Sequence, residues 1–210
     1  MILPDYSFES AAHARGLTRI AGVDEVGRGP LAGPVTAAAV VLDMTRIPPG
    51  LRDSKAIPKA RLAAIAAAIH AVAEVSVAHA TVEEIDRLNI LQASLLAMER
   101  AVAGLRIPPD HCLIDGTKIP VGLRGRSQAI VKGDARSLSI AAASIVAKVA
   151  RDRVMVDLAQ QHPGYGWERN AGYPVPAHLK ALLDLGVTPW HRRSFRPVYN
   201  ILYQDNSLTP

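Results

Sequence analysis

The sequence predicts an α/β domain, on three observations. Short apolar runs rich in Val, Ile and Ala alternate with longer helical patterns, as strands do when interleaved with helices. Gly- and Pro-containing stretches punctuate the junctions between them. The chain has 210 residues, 49% of them hydrophobic, which suits one core or one core with a small appendage.

Each element follows from local chemistry. Ile20 to Val23 is a short apolar run that ends in Asp24 and Glu25, followed by Gly27, Arg28, Gly29, Pro30 and Gly33. Val35 to Leu42 comes next, so the start reads as strand, Gly-rich turn, strand. Pro48, Pro49, Gly50 and Asp53 mark residues 47–55 as a loop. Pro58 to Ala73 reads as a helix with Pro in its first turn. Val75 to Ala80 is a strand candidate. Thr81 with Glu84 is a capping box opening another helix. Asn89 to Ala103 is amphipathic and stops at Gly104. His111 to Ile114 and Ala129 to Val131 are further strands, the first ending in Asp115 and the second followed by Asp134. Ser139 to Leu158 predicts a long helix, with Ala141, Ala142 and Ala143 small enough to pack closely on a sheet. His162 to Val175 is a Gly/Pro loop, and Pro176 to Leu185 a last helix before the tail.

No apolar run approaches the roughly 18–20 residues that a bilayer requires, so no membrane partner is expected. Met1 to Ser10 carries acids where a secretory signal would carry a basic region. Cys112 is the only cysteine, which excludes an intrachain disulfide and fits a reducing, cytoplasmic setting. Its apolar strand makes it a core residue. No zinc spacing, P-loop or GxGxxG occurs. The net charge of +5 and pI near 9.6 are compatible with a polyanionic partner. A monomer is the default oligomeric expectation.

The acids carry the functional argument. Ends of strands in one sheet can lie side by side, which would gather Asp24, Glu25, Asp115 and Asp134 at one edge. Clustered anions repel unless a cation sits among them. Hard divalent ions with oxygen ligands, Mg²⁺ or Mn²⁺, answer that need. An Asp beside a Gly is also an ordinary turn former, and pattern alone leaves both readings open.

The stretch Ala21 to Thr36, AGVDEVGRGPLAGPVT, resembles the signature of the type 2 ribonuclease H (ribonuclease HII) family. Asp53-Ser54-Lys55, Leu88 to Leu91 (LNIL), Ile114-Asp115-Gly116, Lys132 to Arg153 (KGDARSLSIAAASIVAKVARDR), Gly164 to Tyr173 and His191 to Val198 (HRRSFRPV) resemble its further blocks. The resemblance implies a ribonuclease H-like fold, a central mixed β-sheet flanked by helices. It implies a catalytic domain over residues 1–160 and a small helical C-terminal region, 161–210, packed on the same domain. It also implies that Asp24, Glu25, Asp115 and Asp134 are the catalytic metal ligands.

Further roles follow from the resemblance. Gly27, Arg28 and Gly29 would read the 2′-hydroxyl of a ribonucleotide through main-chain groups. Tyr173 would stack on the sugar at the DNA–RNA junction. Ala171 and Val175 stand where the family often has Lys and Thr, and Ala56 and Ile57 where it often has Lys and Leu. Lys55, Ser144, Lys148, Arg192 and Arg193 are candidates for phosphate contacts. Arg192 and Arg193 have an alternative role in tying down the C-terminal segment. The expected activity is two-metal cleavage 5′ to ribonucleotides in RNA–DNA hybrids and in duplex DNA carrying single ribonucleotides. A hybrid-binding module without catalysis and a junction resolvase of the same fold are the rivals.

Overall fold

The computed structural model describes residues 3–203. Strands β1 (Ile20–Val26), β2 (Val35–Val41), β3 (Glu74–Ala80), β4 (His111–Asp115) and β5 (Ser127–Ile130) form one sheet in the order β3-β2-β1-β4-β5. β1 pairs antiparallel with β2 and parallel with β4, and β4 pairs parallel with β5. The helices are α1 (Ser7–His13), α2 (Lys59–Val72), α3 (Val82–Leu88), α4 (Ile90–Ala103), α5 (Leu138–Gln161), α6 (Trp167–Asn170), α7 (Pro176–Leu185) and α8 (Arg196–Tyr203). The expected α/β class with a mixed sheet is therefore found.

Two compact units divide the chain. The first takes residues up to 26, 36–79 and 94–150, and the second takes 27–35, 80–93 and 151 onward. In the first, Ala38, Val40, Leu62, Ile65 and Ile69 pack with Ala141, Ala142 and Ala143. Gly22 of β1 lies against the start of α5, where a Cβ would land on the backbone of Ser139. The small residues on both elements are what permit this approach. In the second unit Leu31 and Ala32 pack with Met155, Leu158, Tyr165, Trp167, Leu182 and Val198.

Several boundaries differ from expectation. β1 runs on to Val26, so Asp24 and Glu25 lie inside the strand, opposite Ala38 and Ala37 of β2. Cross-strand pairing with an Ala-rich partner extends the strand past its apolar run. β5 ends at Ile130, and Lys132 adopts a left-handed conformation (φ 54) that breaks the ladder. Asp134 therefore sits in a 3-10 turn, Gly133–Ala135, rather than at a strand end. α1, α6 and α8 are not among the expected helices: α1 and α6 are short, and α8, although strongly amphipathic, falls in the stretch read as the tail. α1 supplies Glu9, which is buried and accepts from the Ser139 amide (2.9 Å), the Ser139 hydroxyl (2.5 Å) and the Ser137 hydroxyl (2.6 Å). Ser137 in turn accepts from the Ile140 amide at 3.2 Å. This pair caps the 24-residue helix α5, placing a carboxylate where the helix dipole is positive.

Candidate active site

In the first unit the parallel register brings two acids level. Val23 pairs with Ile114 across β1 and β4, so Asp24 and Asp115, each one residue further on, stand side by side on neighbouring strands. Asp115 Oδ1 accepts from the Gly133 amide at 2.6 Å, which ties the turn bearing Asp134 to the end of β4. Three of the four predicted acids thus meet at one sheet edge. Glu25 follows Asp24 on the same strand, where successive Cβ atoms leave opposite faces, yet its charge still acts on Asp24.

The electrostatics match that geometry. Burial pushes the Asp24 carboxyl well above the usual range, and the charges of Glu25, Asp115 and Asp134 add to the effect, against a hydrogen bond from Ser144. Asp134 is raised by its burial, then by Asp115 and Asp53, with Lys55 opposing. Lys55 Nζ lies 3.8 Å from Asp134 Oδ2 on a side chain 84% exposed. Burial lowers the Lys55 ammonium, but Asp53, Asp134, Asp24 and Asp115 outweigh it and its pKa is raised.

An all-oxygen donor set under mutual repulsion suits a hard divalent cation. Among the described residues no three acidic, His or Cys side chains converge as a cage for one ion. Ser144 is buried, 3.0 Å from the Ser54 hydroxyl, and it serves Asp24 rather than presenting a hydroxyl to solvent. Lys148 is half-buried on the next turn of α5. Cys112 is buried in β4 with its thiol pushed up to about 11 by burial, so it is core rather than nucleophile.

The second unit holds the Gly27-Arg28-Gly29 loop and Tyr173. Gly27 has φ +91, and a Cβ there would collide with the Arg151 guanidinium. At Gly29 a Cβ would lie 3.3 Å from Tyr173 Cε1, so the half-exposed ring rests against this glycine. Arg192, expected among the phosphate contacts, is fully buried. Its Nη2, Nη1 and Nε donate to Gly27 O (2.6 Å), Arg28 O (3.0 Å) and Gly33 O (3.0 Å). It faces the loop, and the phosphate assignment is corrected for that reason. Arg193 remains exposed, its amide donating to Asp86 at 3.0 Å. Arg151 was missed in the sequence, because an arginine within a helical pattern reads as a solvated face. It is 1% exposed and donates to Pro34 O, Ala171 O and Ala32 O at 3.0–3.1 Å.

His178 and His191 were also missed. Trp167 Nε1 donates to His178 Nε2 (2.9 Å), and the Thr188 amide donates to His191 Nδ1 (3.0 Å). His178 Nδ1 must then carry its proton to Tyr173 O (2.9 Å), and His191 Nε2 lies 3.2 Å from His178 Nε2. This network anchors the backbone of Tyr173.

Known proteins agree with this architecture. The Ribonuclease HII family pattern matches residues 21–200. The chain belongs to the ribonuclease HII family. Ribonuclease HII of Cereibacter sphaeroides is 73% identical over 207 residues, covering 99% of this chain and 98% of that one. The crystal structure of ribonuclease H2 from Pyrococcus horikoshii OT3 superposes with a TM-score of 0.76 at 27% identity, covering 90% of this chain and 100% of that one. A Bst-RNase HIII solved in complex with Mn²⁺ shares the fold, with a TM-score of 0.68 at 22% identity over 91% of this chain and 71% of that one. As a ribonuclease HII, the chain is a hydrolase with ribonuclease H endonuclease activity.

Proposed function

We propose that the protein cuts the phosphodiester on the 5′ side of ribonucleotides, both in RNA–DNA hybrids and at single ribonucleotides embedded in duplex DNA, leaving 3′-hydroxyl and 5′-phosphate ends. The observation that carries this reading is the level placement of Asp24 and Asp115 on parallel strands, with the Asp134 turn bound to Asp115. Such an edge is costly without positive charge. Asp24, Glu25, Asp115 and Asp134 would hold Mg²⁺ or Mn²⁺, and the Mn²⁺ complex of the related fold supports an ion of this class. Two such ions, when bound, supply the charge that activates water and stabilises the leaving oxygen.

The chain's own residues do the rest. Ser144 holds the Asp24 carboxylate in place. Lys55, exposed and tethered near Asp134, offers an ammonium to a phosphate. Lys148 in the first unit and Arg193 in the second are further candidates for phosphate contacts. Main-chain groups of Gly27, Arg28 and Gly29 read the 2′-hydroxyl, and the Tyr173 ring provides a stacking face for the sugar. Ribonucleotide excision and primer removal are the cellular roles, carried out by a cytoplasmic monomer, a setting supported by the single buried cysteine.

The test incubates the protein and Mg²⁺ or Mn²⁺ with a duplex bearing one ribonucleotide, beside an all-DNA control. Cleavage confined to the 5′ side of the ribonucleotide is expected. Asp24→Asn should abolish cleavage and keep duplex binding. It should also raise the melting midpoint, since it removes a buried anion among like charges. Full activity in Asp24→Asn, or equal cleavage of the all-DNA duplex, would overturn the proposal.

A further inference from the structure

Two guanidinium groups are buried in the second unit, and the acceptors recorded for them are carbonyl oxygens rather than carboxylates. Arg192 takes Gly27 O, Arg28 O and Gly33 O, while Arg151 takes Ala32 O, Pro34 O and Ala171 O. Burying a cation without an anion is expensive. Burial, then the neighbouring guanidinium, lowers the Arg192 pKa to about 9, and burial lowers Arg151 to about 10. A cost of this kind calls for a return elsewhere in the molecule.

The return lies in the peptide planes. No described peptide bond is cis, and in a trans peptide the C=O and the following N–H point in opposite directions. With Gly27 O and Arg28 O turned toward Arg192, the N–H groups of Arg28 and Gly29 point away from it. A planar fork with donors fixed in one geometry can hold consecutive carbonyls in this way, whereas a flexible ammonium cannot. Arg151 bonds to Ala171 as well as to Ala32 and Pro34, and the Leu31 amide donates to Gly172 O at 2.7 Å. The Tyr173 segment is thus joined to the same loop, with the ring against Gly29. Phe195 lies under the Arg192 guanidinium, 5.1 Å from it.

We infer that Arg192, braced by Phe195 and paired with Arg151, is a positioning residue that sets the peptide orientation of Gly27-Arg28-Gly29 and its spacing from Tyr173, and thereby the preference for ribonucleotides over deoxyribonucleotides. The inference rests on the proposed role of this loop in reading the 2′-hydroxyl. Arg192 acts through the loop and touches no substrate.

The experiment measures two quantities on one preparation. One is KM for a duplex with a single ribonucleotide. The other is the inhibition constant of the matching all-DNA duplex. Their ratio reports sugar preference, and the concentration of active enzyme cancels from it, so general loss of structure does not move it. Arg192→Lys keeps the charge and loses the fork, and its preference should fall about tenfold, as for one well-placed hydrogen bond. Phe195→Leu leaves the carbonyl bonds in place and should lower the preference about two- to threefold. If Arg192→Lys does not hold its fold, Phe195→Leu decides. Unchanged preference in folded Arg192→Lys, or in Phe195→Leu when the lysine variant is lost, overturns the inference. A wild-type enzyme with no preference overturns the role of the loop itself, which separates the two failures.

Discussion

Acidification should weaken the second unit through His191, and the size of the effect follows from the structure. Burial, and then the charge of His178, push the His191 imidazole down to about 3 from an ordinary 6.5. Between those values the unfolded chain binds a proton that the folded chain refuses. Stability therefore rises with pH across that window and is lost as pH falls through it. At pH 5 the loss from His191 is about 2 kcal/mol, against about 0.2 kcal/mol at pH 7. His178 shifts downward as well, mainly through burial, and acts with the same sign. Asp24 and Asp134 are raised, so their contributions have the opposite sign, and a comparison with a variant cancels them. His191→Asn keeps an acceptor for the Thr188 amide and removes the titrating ring. Urea midpoints at pH 5 and pH 7 should then show wild type losing about 2 kcal/mol more than the variant, roughly 1 M in midpoint at a typical slope. At pH 7 the variant should already be weaker by about 1–2 kcal/mol from its lost hydrogen bond. Parallel pH dependences in the two proteins would refute the reasoning, because the ring would then be free to charge in the folded state.

Three stability predictions concern the first unit. Glu9→Ala removes three recorded hydrogen bonds that cap α5 and should cost about 2–3 kcal/mol, read from denaturant midpoints. A cost below about 0.5 kcal/mol would mean that Ser137 caps the helix unaided. Gly22→Ala drives a methyl into the Ser139 backbone and should cost about 3 kcal/mol or more. Gly116→Ala, at φ +91 with open space around it, should cost only about 1–2 kcal/mol in the same melting assay.

The α/β class and the strand-forming runs were legible because apolar spacing is a local signal. α7 (Pro176–Leu185) and the Thr81–Glu84 capping box were legible for the same reason, since proline and capping chemistry are local. The level placement of Asp24 and Asp115 was not, since register depends on which strands pair. The strand position of Asp24 and Glu25 depends on β2 facing them across the sheet. Asp134 escaped its expected strand end because a left-handed residue at Lys132 has no strong sequence mark when the residue is not glycine. Arg151 and Arg192 illustrate a deeper limit. An arginine on a helix or in a basic pair looks solvated, and only the folded chain brings backbone carbonyls to it. His178 and His191 are thirteen residues apart and carry no spacing signal, because their partners are an indole, a backbone carbonyl, Thr188 and each other rather than a metal.

The Arg192 bonds to Gly27 and Arg28 span sequence separations of 165 and 164 residues. A ribosome adding roughly 5–20 residues per second makes the Gly-rich loop about 10–30 s before the arginine that orders it. Throughout that interval the nascent chain carries Asp24 and Glu25 but lacks the guanidinium that holds the Gly27 and Arg28 carbonyls. The loop thus acquires its Arg192 contacts only once residue 192 has been made, across a separation of 165 residues.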